Sequence, residues 1–127
     1  MVVLRPARPG EAESLTALCL RSKAHWGYDD EFMRLCVPAL TMREESIAEG
    51  RVLVATNEAG VTLGTVSVER DGDEAELALM FVEPSAIGSG AGRSLFEGAV
   101  ALARRLGHGR MTILADINAA PFYERMG

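Results

Sequence analysis

The stretch from Leu77 to Arg93 constrains this chain more than any other. An apolar run, Leu77-Ala78-Leu79-Met80-Phe81-Val82, stops at Pro84 and gives way to Gly88-Ser89-Gly90-Ala91-Gly92. Beyond it, Leu95, Phe96, Ala99, Leu102, Ala103 and Leu106 recur at intervals that place them on one helical face. The local reading is strand, glycine turn, helix. Residues without Cβ let backbone N–H groups converge on an anion, and the positive end of the following helix favours the same charge. The stretch therefore has the form of a phosphate cradle. A P-loop is excluded, because Arg93 and Ser94 follow Gly92 and the turn holds no Lys. The dinucleotide pattern G-x-G-x-x-G is not matched in register either. A glycine turn with no ligand stays open from these residues alone.

The 127 residues suit a single domain able to bury a core, and 48% apolar with 24% charged residues is an ordinary globular balance. A formal net charge of −5 argues against binding nucleic acid or an anionic membrane through the general surface. No apolar run has the length of a membrane-spanning helix, and the first residues lack a cleavable signal. Cys19 and Cys36 stand outside any metal-type spacing and read as reduced thiols. The expectation is a cytoplasmic protein with no metal, no nucleic-acid partner and no membrane partner.

Met1–Pro6 reads as a first strand, and Arg8–Ala12 as a turn into a helix with the stripe Ala12, Leu15, Leu18, Cys19 and Ser22. His25, Trp26 and Tyr28 interrupt that pattern. Asp29 or Asp30 can cap a second helix running to Pro38. Trp26 and Tyr28 either pack the joint between the two helices or form the wall of a binding site. A short helix over Glu44–Gly50 precedes two β-rich runs, Arg51–Thr56 and Val61–Val68, joined by a hairpin at Asn57–Gly60. Glu74–Val82 completes an antiparallel meander. Arg110–Ala115 is the strand after the long helix, and Asn118–Met126 a final helix. The strand–helix–strand unit should close as a right-handed, parallel crossover. On this alternation Glu76 and Met80, four residues apart, should face the same side of the sheet.

Val82-x-Pro84, the Gly88-x-Gly90-x-Gly92-x-x-Leu95 turn and the later Asn118-Ala119-Ala120-Pro121-Phe122-Tyr123-Glu124-Arg125-Met126-Gly127 together resemble the GNAT superfamily of acyl-CoA-dependent N-acetyltransferases. The likeness runs from about Val2 to Gly127. One departure stands in the turn: the family pattern [QR]-x-x-G-x-[GA] puts Ile87 where Gln or Arg is usual, which removes a polar side chain but no backbone amide. The resemblance implies an α/β fold with a mixed, mostly antiparallel central sheet flanked by helices. It also implies a parallel strand pair that splays apart to hold the pantetheine arm. The family usually continues into further strands, so the chain is expected to be a C-terminally truncated domain over residues 1–127. A neighbouring chain could cover the exposed strand edge, making a homodimer.

The implied activity is acetyl transfer from acetyl-CoA to an amine of unidentified class. A module that binds coenzyme A or a protein partner without transferring is the alternative. By the resemblance, the backbone of Gly88, Ser89, Gly90, Ala91, Gly92 and Arg93 holds the pyrophosphate, with the Arg93 side chain as an added cation. Val82 pairs with pantetheine, the Met80 N–H points at the thioester oxygen, and Asn118 contacts the cofactor. Tyr123 is the implied general acid, since a phenol stays protonated near neutral pH. Glu76 is the implied base, with Glu83, Asp116 and His25 as rivals. His25, Trp26 and Tyr28 line the implied acceptor wall.

Overall fold

The structure, a computed structural model, describes residues 1–113. Among these the chain runs β1 (Val3–Pro6), α1 (Ala12–Ala24), α2 (Asp30–Cys36), a 3-10 turn (Pro38–Leu40) and α3 (Glu44–Ala48). It continues through β2 (Val52–Thr56), β3 (Thr62–Asp71), β4 (Glu74–Val82), a second 3-10 turn (Pro84–Ala86), α4 (Ala91–Arg105) and β5 (Met111–Ile113). The strands form one sheet in chain order, antiparallel except for the parallel β4–β5 pair. Helices cover both faces. Leu53, Val66, Val68, Ala75 and Leu77 meet Ala91, Leu95, Ala99 and Leu102 of α4 on one side. Val52, Val54 and Leu79 meet Leu15 and Cys19 of α1, with Met42 and Ile47, on the other. This is the mixed, mostly antiparallel α/β architecture expected. The expected separation of the parallel pair beyond Ile113, the rest of the strand through Ala115 and the final helix lie outside the described residues.

Local signals account for most element ends. Asp29 caps α2, its carboxylate accepting the Phe32 N–H at 2.7 Å. At the hairpin between β2 and β3 the Asn57 side chain accepts the N–H groups of Ala59 and Val61 at 2.9 and 3.0 Å. The second meander run, β3, departs from expectation by reaching Asp71 instead of Val68. Glu69, Arg70 and Asp71 are poor strand formers, but each pairs with a β4 residue, and that ladder outweighs local preference. Gly64 of β3 has a spatial role. A Cβ there would lie 2.8 Å from the Phe81 carbonyl oxygen and 2.9 Å from the Leu95 side chain. The missing side chain lets the first turns of α4 sit down on the end of β4.

The start of α1 is fastened to the edge strand by ions. Arg5 donates to both oxygens of Glu11 at 2.9 and 2.8 Å, and the Arg8 N–H donates to the same carboxylate at 2.6 Å. The Arg5 guanidinium, helped by that N–H, holds the Glu11 carboxyl down from 4.5 to about 2. A depressed acid stabilises the fold above its unfolded pKa and loses that contribution as pH falls through the folded one. Glu11→Gln should therefore cost about 1–2 kcal/mol at pH 7, discounted for partial solvent screening. The gap between wild type and variant should close as pH falls from 4.5 to about 2. Urea melts across that range measure it; a gap independent of pH would refute the assignment.

Candidate functional site

The end of β4 leads into the glycine turn and α4. Along β3 the strand is paired from Glu74 to Val82, whereas β5 pairs with Ala75, Glu76 and Leu77 only. Among the described residues, Ala78–Val82 thus present a second edge with no strand on it. The chain then enters the 3-10 turn and the glycines, with Gly88 at φ 86° and Gly90 at φ 92°. Gly90 is the residue before α4, and its left-handed conformation sends the chain directly into the helix. The Ala91 N–H is occupied by the Ser89 hydroxyl at 3.2 Å and the Ser94 N–H by the Gly90 carbonyl at 3.1 Å. Among the described residues, the N–H groups of Gly88, Gly90, Gly92 and Arg93 have no partner. Donors without a described partner at a helix N-terminus suit an anion. Ile87 is 56% exposed beside them.

The alternation of β4 is broken. Ser67 and Val68 are neighbours on β3, yet their partners are Leu79 and Leu77, so Ala78 is an extra residue, a β-bulge. Ala75 and Leu77 accordingly face α4, Leu79 and Phe81 face α1, and Met80 and Val82 return to the α4 side. This corrects the expectation for Glu76 and Met80: the bulge between them reverses the parity, and Glu76 faces α1 while Met80 faces α4.

On the α1 side Glu76 stands opposite Glu69. The Glu69 carboxylate is fully engaged. It accepts from the buried Ser46 hydroxyl at 3.0 and 2.8 Å, from Ser67, and from Arg43 at 3.4 Å. Glu76, half-buried, makes no hydrogen bond or ion pair among the described residues. Glu83 is also taken, both oxygens receiving the Arg21 guanidinium at 3.0 Å. That pairing pushes the Arg21 guanidinium pKa further up. His25 is exposed at the α1–α2 corner, edge-on to Trp26 with ring centroids 5.4 Å apart. Tyr28 packs on Phe32 at 4.7 Å beneath the Lys23 ammonium, while Trp26 is 51% exposed. Packing thus explains Tyr28, and Trp26 is left facing solvent. Asn118, Tyr123 and Asp116 lie outside the described residues. Cys19 is buried, which pushes its thiol up to about 12, and Cys36 is half-buried. Among the described residues no group of three or more His, Cys, Asp or Glu side chains could hold a metal ion.

Sequence reasoning missed Ala78, Arg21 and the Ser46–Ser67–Glu69 cluster. Arg21 reads in sequence as a cation in the last turn of a helix, its ordinary place. Glu69 carries a faint signal, a lone acid continuing an apolar β run.

A sheet of this order, with helices on both faces and a glycine turn after β4, is the architecture that the resemblance implied. A family model described as "Acetyltransferase (GNAT) domain" matches residues 12–127, and the chain belongs to that family. Among solved structures, it is similar to PaiA N-acetyltransferase from Thermoplasma acidophilum, determined in complex with coenzyme A. That match has 15% identity and TM-score 0.80, over 100% of this chain and 89% of the other. A GCN5-related N-acetyltransferase from Ralstonia eutropha matches at 18% identity and TM-score 0.77, over 100% and 92%. A GNAT-family acetyltransferase from Staphylococcus aureus matches at 16% and 0.75, over 100% and 84%. At such identities the likeness is one of fold. No curated protein matches the chain.

The turn itself is testable. A Cβ at Gly90 would meet nothing within 4 Å, so Gly90→Ala should cost only backbone strain, about 1 kcal/mol. Denaturant melts measure that cost; a loss several times larger would show that the turn is packed and not open.

Proposed function

We propose that the chain transfers an acetyl group from acetyl-CoA to an amine acceptor by direct attack. The observation that carries this is the set of N–H groups at Gly88, Gly90, Gly92 and Arg93 that have no partner among the described residues, at the start of α4. Coenzyme A joins an amide-bearing arm to a pyrophosphate, and that pyrophosphate would satisfy those donors. The donors of Gly88, Gly90, Gly92 and Arg93 would take the pyrophosphate. The Arg93 side chain adds charge, Ser89 and Ala91 set the shape of the turn, and Val82 and Met80 offer main-chain groups to the arm. The co-substrate supplies an activated thioester.

The chain's own residues then handle protons. Glu76, with free acceptor capacity, takes the amine proton, directly or through one water, as the nitrogen bonds to the acyl carbon. Tyr123 gives its phenolic proton to the sulfur as the carbon–sulfur bond breaks, and Asn118 supports the cofactor. Trp26 and its neighbours His25 and Tyr28 border the acceptor.

Binding is tested by calorimetry with coenzyme A. Gly90→Glu should abolish the heat of binding through bulk and like charge, while Gly90→Ala should retain it. Unchanged affinity in folded Gly90→Glu would refute the site.

Proton transfer is tested by thiol release from acetyl-CoA over a panel of amines. Tyr123→Phe and Glu76→Gln should each lower kcat on the order of a hundredfold with little change in coenzyme A affinity. Wild-type turnover in either variant would reassign that residue. Binding without release for every amine in the wild type would favour a binding module.

A further inference from the structure

We propose that Arg21 is a positioning residue that fastens the α1–α2 corner to the root of the glycine turn. Glu83 is held three ways: its N–H donates to the Leu63 carbonyl at 2.8 Å, and its carbonyl accepts from Ala86 at 2.8 Å. Its carboxylate takes both arms of the Arg21 fork at 3.0 Å. One residue thus joins β3, the turn that opens the cradle, and the last turn of α1.

The buried residues of α1 are Ala12, Leu15, Leu18 and Cys19, so apolar anchoring ends before Arg21, and α2 buries no residue. His25, Trp26 and Tyr28 extend past the last apolar anchor of α1. A bidentate guanidinium–carboxylate pair fixes direction as well as distance. With Arg21 55% and Glu83 23% exposed, the pair adds little to global stability, so its contribution is geometric. On the acetyl-transfer reading above, it keeps the acceptor wall in register with the cofactor turn.

Trp26 is the only tryptophan, so its fluorescence reports the corner. Acrylamide quenching without ligand should rise in Arg21→Met and in Glu83→Gln, with thermal midpoints close to wild type. The swapped pair, Arg21→Glu with Glu83→Arg, should bring quenching back. Coenzyme A affinity, by calorimetry, should weaken about three- to tenfold in the single variants and recover in the swap. Wild-type quenching in both single variants would overturn the proposal, and so would unchanged affinity in them. If wild type binds no coenzyme A, the acetyl-transfer reading fails instead, and the ligand-free quenching still decides whether the tie exists.

Discussion

Backbone hydrogen bonding along β4 sets what the rest of the molecule can do. Buried N–H and C=O groups must find partners, and among the described residues β4 finds them along β3, save at the Ala78 bulge, and along β5 from Ala75 to Leu77. The strand leads into a turn where, among the described residues, the N–H groups of Gly88, Gly90, Gly92 and Arg93 have no partner, at the start of a long helix. Gly64 lets Leu95 press that helix onto the strand end, so the turn stays beside β4.

The extra residue at Ala78 is inseparable from this arrangement. With regular alternation, Leu79 and Phe81 would face α4, and the core under α1 would lose them. The bulge redistributes the strand so that its first half feeds one core and its second half both. It also lies next to Leu77, which pairs with Ile113 of β5. A local irregularity of this kind leaves backbone groups unpaired and re-aims side chains, a combination that suits a binding strand.

Much of this was legible in the sequence for plain reasons. The α4 stripe, the α1 stripe, the Asp29 cap and the meander follow from periodicity and turn chemistry, which are local. The glycine turn was legible because few other sequences place three residues without side chains before an amphipathic helix. The bulge was not. Ala78 carries no local mark, and its status depends on which β3 residues it meets. The reach of β3 to Asp71 was hidden likewise, because pairing with β4 overrode propensity. Arg21 and Glu83 stand 62 positions apart, and only the fold brings them together. The assignments of Tyr123 and Asn118 rest on resemblance alone.

The acids around β4 are separated by how much of their acceptor capacity is already used. Glu69 is surrounded by two hydroxyls and Arg43, and Glu83 is clasped by Arg21. A carboxylate in either setting would have to give up formed hydrogen bonds to take a proton. Glu76 has no such bonds among the described residues, and it faces the same side as α1. Its opposition to Glu69 across the ladder would be repulsive between bare charges. The hydroxyls and the guanidinium draw the Glu69 charge toward α3, leaving Glu76 as the carboxylate with lone pairs to offer. On the proposed acetyl-transfer reading, the choice of Glu76 as base follows from what its neighbours have been made to do.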